Sequence, residues 1–471
     1  MPSLPPFITL MADGIKAYIT YRRFATSGSA IVFSGESHVY STYAKIGVER
    51  GKTNPDLVHL RFCANNRYWA RESDGGSWVV ASSNQPEEDT SKLSCTLFRP
   101  TISTTSRGMQ VTFHHVQSGR SVRMGSERHY LFVSTPAGGA QTFGVTDWDS
   151  LVILPKLVTF KGHNDKYLKS SWIQRHEYHQ FSGDDGNKDE TTYELMMMND
   201  GRLSVRSNFF QKFWRRSPNW IWADATSSST DDNDTMFWPV KIDDHTIVLR
   251  NLGNNMYCRS LTTEGKTNCL NASATTATRE ALLAVQEPVS SRDIYNVRYR
   301  LEDARIYDEE PFIAGEGSAV NQTGQRNTLA ITVAYEDKHA YSYSNSWSLT
   351  AGISYKFTTG IPRINQHEFS VSSEVTKSWE WSKTTEDTKT ASATYTAVVP
   401  PWTSVKVNYV GTKGKCDIPF SYTQRVRLST TGKMVTTEHT DGVFMGVNAY
   451  NYHFDSSPLR ASPSQSSCFV L

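Results

Sequence analysis

Arg67-Tyr68-Trp69-Ala70-Arg71 and Lys212-Phe213-Trp214-Arg215 are two copies of one short pattern. A basic residue or Asn follows a small polar turn, then an aromatic, a second apolar residue and a basic residue. Further copies are Lys166-Tyr167-Leu168-Lys169 and Asn255-Met256-Tyr257-Cys258-Arg259. Weaker ones are Lys16-Ala17-Tyr18-Ile19-Thr20-Tyr21 and Gly119-Arg120-Ser121-Val122-Arg123. Self-similarity at a spacing of roughly 45–55 residues marks a repeat whose single unit cannot bury its apolar face alone. Six units, three in each half of residues 1–289, predict two β-trefoils in tandem. The halves also agree over longer stretches. Residues 67–73 and Trp78-Val79-Val80-Ala81 match 212–217 and Trp220-Ile221-Trp222-Ala223, and both runs enter an acidic loop.

Composition agrees with an all-β chain. Of 471 residues, 12% are aromatic, and Lys+Arg at 49 nearly balances Asp+Glu at 47. A net charge of +2 argues against a dedicated nucleic-acid binder, which usually carries a strong basic excess. No apolar run approaches the ~18 residues of a spanning helix, which leaves a barrel open. Met1-Pro2-Ser3-Leu4-Pro5-Pro6-Phe7 lacks the pattern of a secretory signal, so the expected location is cytoplasmic, or nucleocytoplasmic, with conditional membrane association. The six cysteines form no CxxC pair and are expected to be mostly reduced, and no zinc site is expected.

After Pro288 the repeat stops. From Ser346 to Phe357 the odd positions are Trp347, Leu349, Ala351, Ile353, Tyr355 and Phe357, and the even ones are Ser, Ser, Thr, Gly, Ser and Lys. Such period-two alternation marks a strand with two unlike faces. A turn-like stretch, Thr359 to Ile364, follows. Then Phe369, Val371, Val375, Trp379 and Trp381 continue the odd face, with Ser373 and Lys377 as exceptions, while polar residues fill the even one. Paired antiparallel strands share a face only if residue numbers sum to an even value. A sum of 726 would pair Phe357 with Phe369, Tyr355 with Val371 and Trp347 with Trp379. The apolar strand is long enough to cross a bilayer core when tilted. One hairpin cannot do so alone, because its edges would stay unpaired in lipid. The alternative is a half-buried hairpin in a soluble sandwich.

Residues 1 to about 288 resemble the amaranthin-type plant lectins. The matching stretches include Gly47-Val48-Glu49, residues 81–88, Cys95-Thr96-Leu97-Phe98-Arg99-Pro100, residues 158–168 and residues 207–215. The resemblance implies two β-trefoil agglutinin domains that bind galactose or N-acetylgalactosamine glycans, notably the T-antigen disaccharide, at sites between subunits of a head-to-tail dimer. The family's first-domain site falls on Gly75-Gly76-Ser77-Trp78, where only Trp78 matches. Trp220 and Trp222 are its second-domain counterparts. Residues 290 to about 455 resemble the aerolysin-type pore-forming module, through Gly352-Ile353-Ser354 to Pro362, Trp379-Glu380-Trp381-Ser382, Val398 to Thr403, Cys416 to Thr423 and Asp441 to Tyr450. That resemblance implies ring oligomerisation and a β-barrel, with the insertion segment on Trp347 to Trp381: Trp347, Leu349, Ile353, Tyr355, Phe357, Ile361, Phe369, Val371, Val375 and Trp379.

The expected architecture is therefore all-β: a first lectin domain over 1–152, a second over 153–289, a pore-forming module of elongated antiparallel sheet over 290–457, and a flexible tail over 458–471. The expected partners are glycans on glycoproteins or glycolipids, a membrane on pore formation, and further copies of the chain; no nucleic acid, cofactor, metal or catalytic residue is expected. A soluble lectin whose third module only oligomerises is the alternative, and a glycoside hydrolase with binding domains is a further one. His114-His115 and His176-x-x-His179 lack the spacing of a ligand set, and the acidic loops lack that of an EF-hand. Cys468-Phe469-Val470-Leu471 fits a prenylation box at Cys468.

Overall fold

The computed structural model describes residues 3–23, 30–72, 76–106, 108–125, 129–133, 139–347, 355–366 and 368–459. The chain is all-β. Two twelve-stranded sheets come first, one from Phe7–Ala12 to Phe143–Asp147, the other from Leu157–Lys161 to Leu283–Gln286. Twelve strands are three sets of four, the β-trefoil count that the repeats require.

The repeat shows how sequence dictates this fold. Ile19, Trp69 and Val122 occupy equivalent places in the first domain, and Leu168, Trp214 and Cys258 in the second. All six are 0% exposed. The first three meet in one core cluster and the last three in another. Three residues before five of these positions stand Asn66, Gly119, Asp165, Gln211 and Asn255, each at positive φ between 52° and 62°. A left-handed residue turns the chain sharply, and Gly, Asn and Asp tolerate it best. The strand entered then shifts register at the core position in five of the six units. A bulge adds a residue and bends the strand, which re-aims its side chain. Polar turn, aromatic and second apolar residue thus form one device: turn, bulge, core plug.

Large side chains fill both cores. Trp69 meets Phe98 and Phe113 edge to face, and Trp214 meets Tyr193 and Phe237 in the same way. His179 lies under Trp214, and His115 is held by the Cys95 carbonyl and Ser118, so neither is poised for metal binding. The two trefoils also touch: Val39 N–H donates to the Asn199 carbonyl at 2.8 Å. The described cysteines, Cys63, Cys95, Cys258, Cys269 and Cys416, are free thiols.

The third module is one eight-stranded sheet with long strands. Its order is Val375–Trp379, Tyr355–Thr359, Val289–Tyr299, Ser404–Leu428, Met434–Leu459, Asn327–Ser344 and Thr385–Val399, with Arg305–Val320 also on Ser404–Leu428. By compactness the chain forms two units. One holds residues 1–294, 345–356 and 422–441; the other holds 295–344, 357–421 and 442–471. Asn327–Ser344 and Thr385–Val399 pair without a break from Asn327↔Val399 to Tyr341↔Thr385. Every pair in that ladder sums to 726.

The segment between these strands takes a different register. Pro362–Asn365 and Glu368–Val371 form a small separate hairpin, with Ile364 opposite Phe369 and Pro362 opposite Val371. These pairs sum to 733. The turn sits between Asn365 and Glu368, with Gln366 at φ 49°, and not at Thr359–Ile364 as the sequence suggested. The expected pairing of Phe357 with Phe369 and Tyr355 with Val371 is thus absent from this state. Burial explains the correction: the odd sum turns Ile364, 2% exposed, into the interior, whereas the sequence reads it as the end of the turn-like stretch. The expected tail overlaps the last strand, which runs to Leu459, and Cys468 lies outside the described residues.

Candidate functional site

Three places are candidates for function. The first is the loop between Arg67–Arg71 and Val79–Ser83. Gly75 lies outside the described residues. The Gly76 carbonyl accepts from Arg71 Nε at 2.7 Å, and the Ser77 carbonyl accepts from Val133 N–H at 2.7 Å. Trp78 bridges to Phe132 and is 37% exposed. Its ring meets the edges of Tyr130 at 5.6 Å and Phe132 at 6.3 Å, and Tyr130 in turn meets Phe33. Trp78 is therefore a surface aromatic and not a core one. Its ring neighbours are aromatic edges, suited to stacking but not to reading hydroxyl groups.

The second is a groove of about 510 Å³ in the second trefoil. Four rings form one side. His176 lies flat on Trp222 at 4.2 Å and 12°, while Tyr178 meets both Trp220 and Trp222 edge on. Arg259, Glu264, Lys266, Asn271 and Ser273 also line it. Trp220 Nε1 donates to Glu264 Oε2 at 3.1 Å, and Lys266 Nζ donates to the Glu264 carbonyl at 3.2 Å. The Lys266 ammonium also sits 5.2 Å from the Trp220 ring centre. These contacts lower the Glu264 carboxyl below its ordinary value, the Trp220 hydrogen bond first and that of Lys266 second. The tryptophans stood out in the sequence, and His176 only within the His176-x-x-His179 pair, which lacks ligand spacing; as saccharide contacts His176, Lys266 and Asn271 were not legible, because strands far apart in the chain bring them together.

The third is the segment Trp347–Trp381, whose odd-numbered residues divide. Arg292 is fully buried, pairs with Glu287, and donates to the Tyr355 hydroxyl at 3.1 Å. Its guanidinium stands 5.0 Å from the ring centres of both Trp347 and Tyr355. Burial pushes the Glu287 carboxyl up, against the pull of Arg292. Phe357 sits among Tyr343, Trp381 and Phe420, and Trp379 against Tyr341 and Tyr343. Phe369 and Ile361 are half-buried, whereas Val371 and Val375 are 43% and 36% exposed. Lys377 is exposed, with Nζ 5.8 Å from the Trp379 ring. Leu349 and Ile353 lie outside the described residues. Tyr355, Phe357 and Trp379 of the odd face are thus buried in this state, and Trp347 and Phe369 partly so.

His339 lies beneath this segment. It is 1% exposed and neither ring nitrogen has a hydrogen-bond partner. Burial first, then Arg363, pulls its pKa down to about 4, against the opposing effect of Asp387. A histidine whose folded pKa is depressed stabilises the fold fully above its ordinary value near 6.5, and the stability is lost as pH falls toward the folded value. Stability is expected to drop by on the order of 3 kcal/mol between pH 6.5 and 4. Thermal melts across that range would check this, and His339→Phe should flatten the profile.

Among the described residues, no group of three or more His, Cys, Asp or Glu side chains is placed to hold a metal ion. No helix is long and apolar enough to cross a membrane, which says nothing of a β-barrel. Comparison with known families matches the agglutinin domain over residues 3–142 and 152–287 and the aerolysin toxin over 294–433. No curated protein sequence matches. Similar solved structures include the hemolytic lectin CEL-III, at 11% identity over 95% of this chain and 93% of that one, TM-score 0.32. The lamprey immune protein is 12% identical over 76% and 90%, TM-score 0.31. An aerolysin-like protein of Bombina maxima is 8% identical over 36% and 99%, TM-score 0.25. The agglutinin match alone spans more than half of the chain, and lectin and aerolysin-type families are non-enzymatic. The chain belongs to the agglutinin-domain family, with two such domains in tandem followed by an aerolysin-type module, the composition of a lectin-toxin-like carbohydrate-binding protein.

Proposed function

We propose that the trefoils bind galactose- or N-acetylgalactosamine-type glycans on a membrane, as a plant defence or stress lectin, and that copies of the third module then assemble into a β-barrel pore. The observation that carries the pore is the ladder of sum 726 between Asn327–Ser344 and Thr385–Val399. Continued inward, the same register pairs Trp347 with Trp379, Tyr355 with Val371 and Phe357 with Phe369. Every pair then joins odd to odd or even to even, so the apolar and polar faces separate over the whole segment. The alternation in the sequence and the register of the flanking ladder both support this hairpin.

Its dimensions suit a bilayer. Trp347 and Phe357 lie ten residues apart, roughly 33 Å along a strand. At a barrel tilt near 40° that is roughly 25 Å of height, the height of the lipid-facing band between aromatic girdles. Closure of several hairpins into one barrel supplies the edge pairing that a single hairpin lacks.

The test is dye release from liposomes carrying asialo-glycoprotein or galactose-terminated glycolipid, compared with bare liposomes. Release from the glycan-bearing vesicles, with sodium dodecyl sulfate-resistant oligomers, is the expected result. Glycan binding with no release on any vesicle would leave a lectin whose third module only oligomerises.

A further inference from the structure

We propose that the groove of the second trefoil, and not the Trp78 loop, is the principal saccharide site of this chain, and that it takes a pyranose carrying hydroxyl or acetamido groups. This rests on the lectin reading above. The groove joins two kinds of surface that a sugar needs. Of its four rings, Tyr178 and Trp220 are buried, and the stacked pair His176 and Trp222 remains accessible to the C–H side of a pyranose. Its polar side offers Arg259, Glu264, Lys266, Asn271 and Ser273 as donors and acceptors. The polar groups are fixed before any ligand arrives. Arg259 Nε donates to Ser273 Oγ at 3.1 Å, and Glu264 is held by Trp220 and Lys266.

Asn271 points to a missing ligand. It is 4% exposed and lines the groove, and its carboxamide oxygen has no hydrogen-bond partner; Trp222 Nε1, also in the groove, has none either. A buried acceptor and a buried donor left open in one site are costly, and buried polar groups are ordinarily paired. A ligand that both donates and accepts would pair them. A hydroxyl does so through one oxygen, and an acetamido group does so through its N–H and its carbonyl. The groove's two cations beside one carboxylate leave no strong bias for an acidic sugar, because Lys266 is already matched to Glu264. Burial of Asn271 also excludes it as a glycosylation acceptor in the folded chain, although Asn271-Ala272-Ser273 is a sequon. The Trp78 loop of the first trefoil offers stacking without these polar contacts.

The experiment uses the full chain on an array of immobilised glycans that includes galactose-, N-acetylgalactosamine- and N-acetylglucosamine-terminated structures, with sialylated ones as the acidic arm. Wild type, Trp222→Ala, Asn271→Leu and Trp78→Ala are compared. The groove variants are expected to lose at least tenfold in apparent affinity for the best glycan, and Trp78→Ala less than threefold. Asn271→Leu is expected to keep or raise the melting temperature while it loses binding, a combination that a merely structural asparagine would not give. Groove variants that bind like wild type, with Trp78→Ala deficient, would overturn the proposal and leave the lectin reading intact. A best glycan that is sialylated would overturn the ligand class. Wild type that binds none of the glycans would overturn the lectin reading itself.

Discussion

A disulfide between cysteines placed at 364 and 369 is expected to reduce membrane permeabilisation at least 100-fold, and a reductant is expected to restore it. Ile364 and Phe369 face each other in the small hairpin of the resting state. In the 726 register the turn centres on residue 363, so position 369 moves down beside Phe357 and position 364 stays near the tip. The two then stand about five residues apart along the hairpin, roughly 17 Å. A disulfide tolerates a Cα separation of about 7 Å at most. The bridged chain can therefore keep the resting register but cannot adopt the other. The Ile364→Cys, Phe369→Cys double variant would be assayed for dye release oxidised and reduced, with glycan binding as the control for folding. Equal release in both forms would show that the two strands never exchange register. A bridge in the Tyr355→Cys, Val371→Cys variant, which that register brings opposite each other, is the complementary probe.

A barrel built in this register is expected to prefer cations strongly. The even-numbered residues from 346 to 380 face the lumen, and their charged members are Lys356, Glu368, Glu374 and Glu380. One lysine against three glutamates leaves a net charge of −2 per chain, multiplied by the number of chains in the ring. All four are exposed in the resting state, so none is tied into the interior before the transition. Rings of carboxylates along a narrow, low-dielectric pore concentrate counter-ions and exclude anions. In a planar bilayer with a tenfold potassium chloride gradient, the reversal potential is expected to lie near the cation limit. Glu374→Lys combined with Glu380→Lys should reverse its sign with little change in glycan binding. A wild-type pore that favours chloride would show that the even face does not line the conduit, whereas the absence of any conductance would bear on pore formation itself.

Much of this molecule was legible in its residues, and the part that was not has a physical cause. The repeats could be read because the trefoil demands one buried plug per unit, and Ile19, Trp69, Val122, Leu168, Trp214 and Cys258 meet that demand at 0% exposure. Identity at those positions is loose, from tryptophan to cysteine, but the turn before them is not, since the left-handed residue admits few types. The two faces of 346–382 were equally legible, because a period of two needs no partner to be seen. Which partner each strand takes is a different question. Pro362–Asn365 takes its resting register from the burial of Ile364 and from Asn448, whose side chain bonds both the N–H and the carbonyl of Ile364, each at 3.0 Å. Nothing local to residues 359–371 encodes that contact. The second-trefoil groove was only half visible for the same reason: Trp220 and Trp222 stand two positions apart on one strand, but Lys266 and Asn271 reach them from another strand pair. On the Trp78 loop the ring is exposed and its ring neighbours are the aromatic Tyr130 and Phe132.

The continuous ladder between residues 327–341 and 385–399 bears finally on speed. A long chain excursion ordinarily has to find its own ends before a hairpin can begin, and the entropy of that search slows the start. Here the ends of the excursion are already clasped by fifteen rungs. Lengthening can proceed rung by rung from Tyr341 and Thr385, with no fresh alignment to discover. The slow event should then be the release of the sheltered aromatics or the gathering of chains, and the threading of each arm into lipid should follow within the brief time of ordinary hairpin growth, on the order of microseconds.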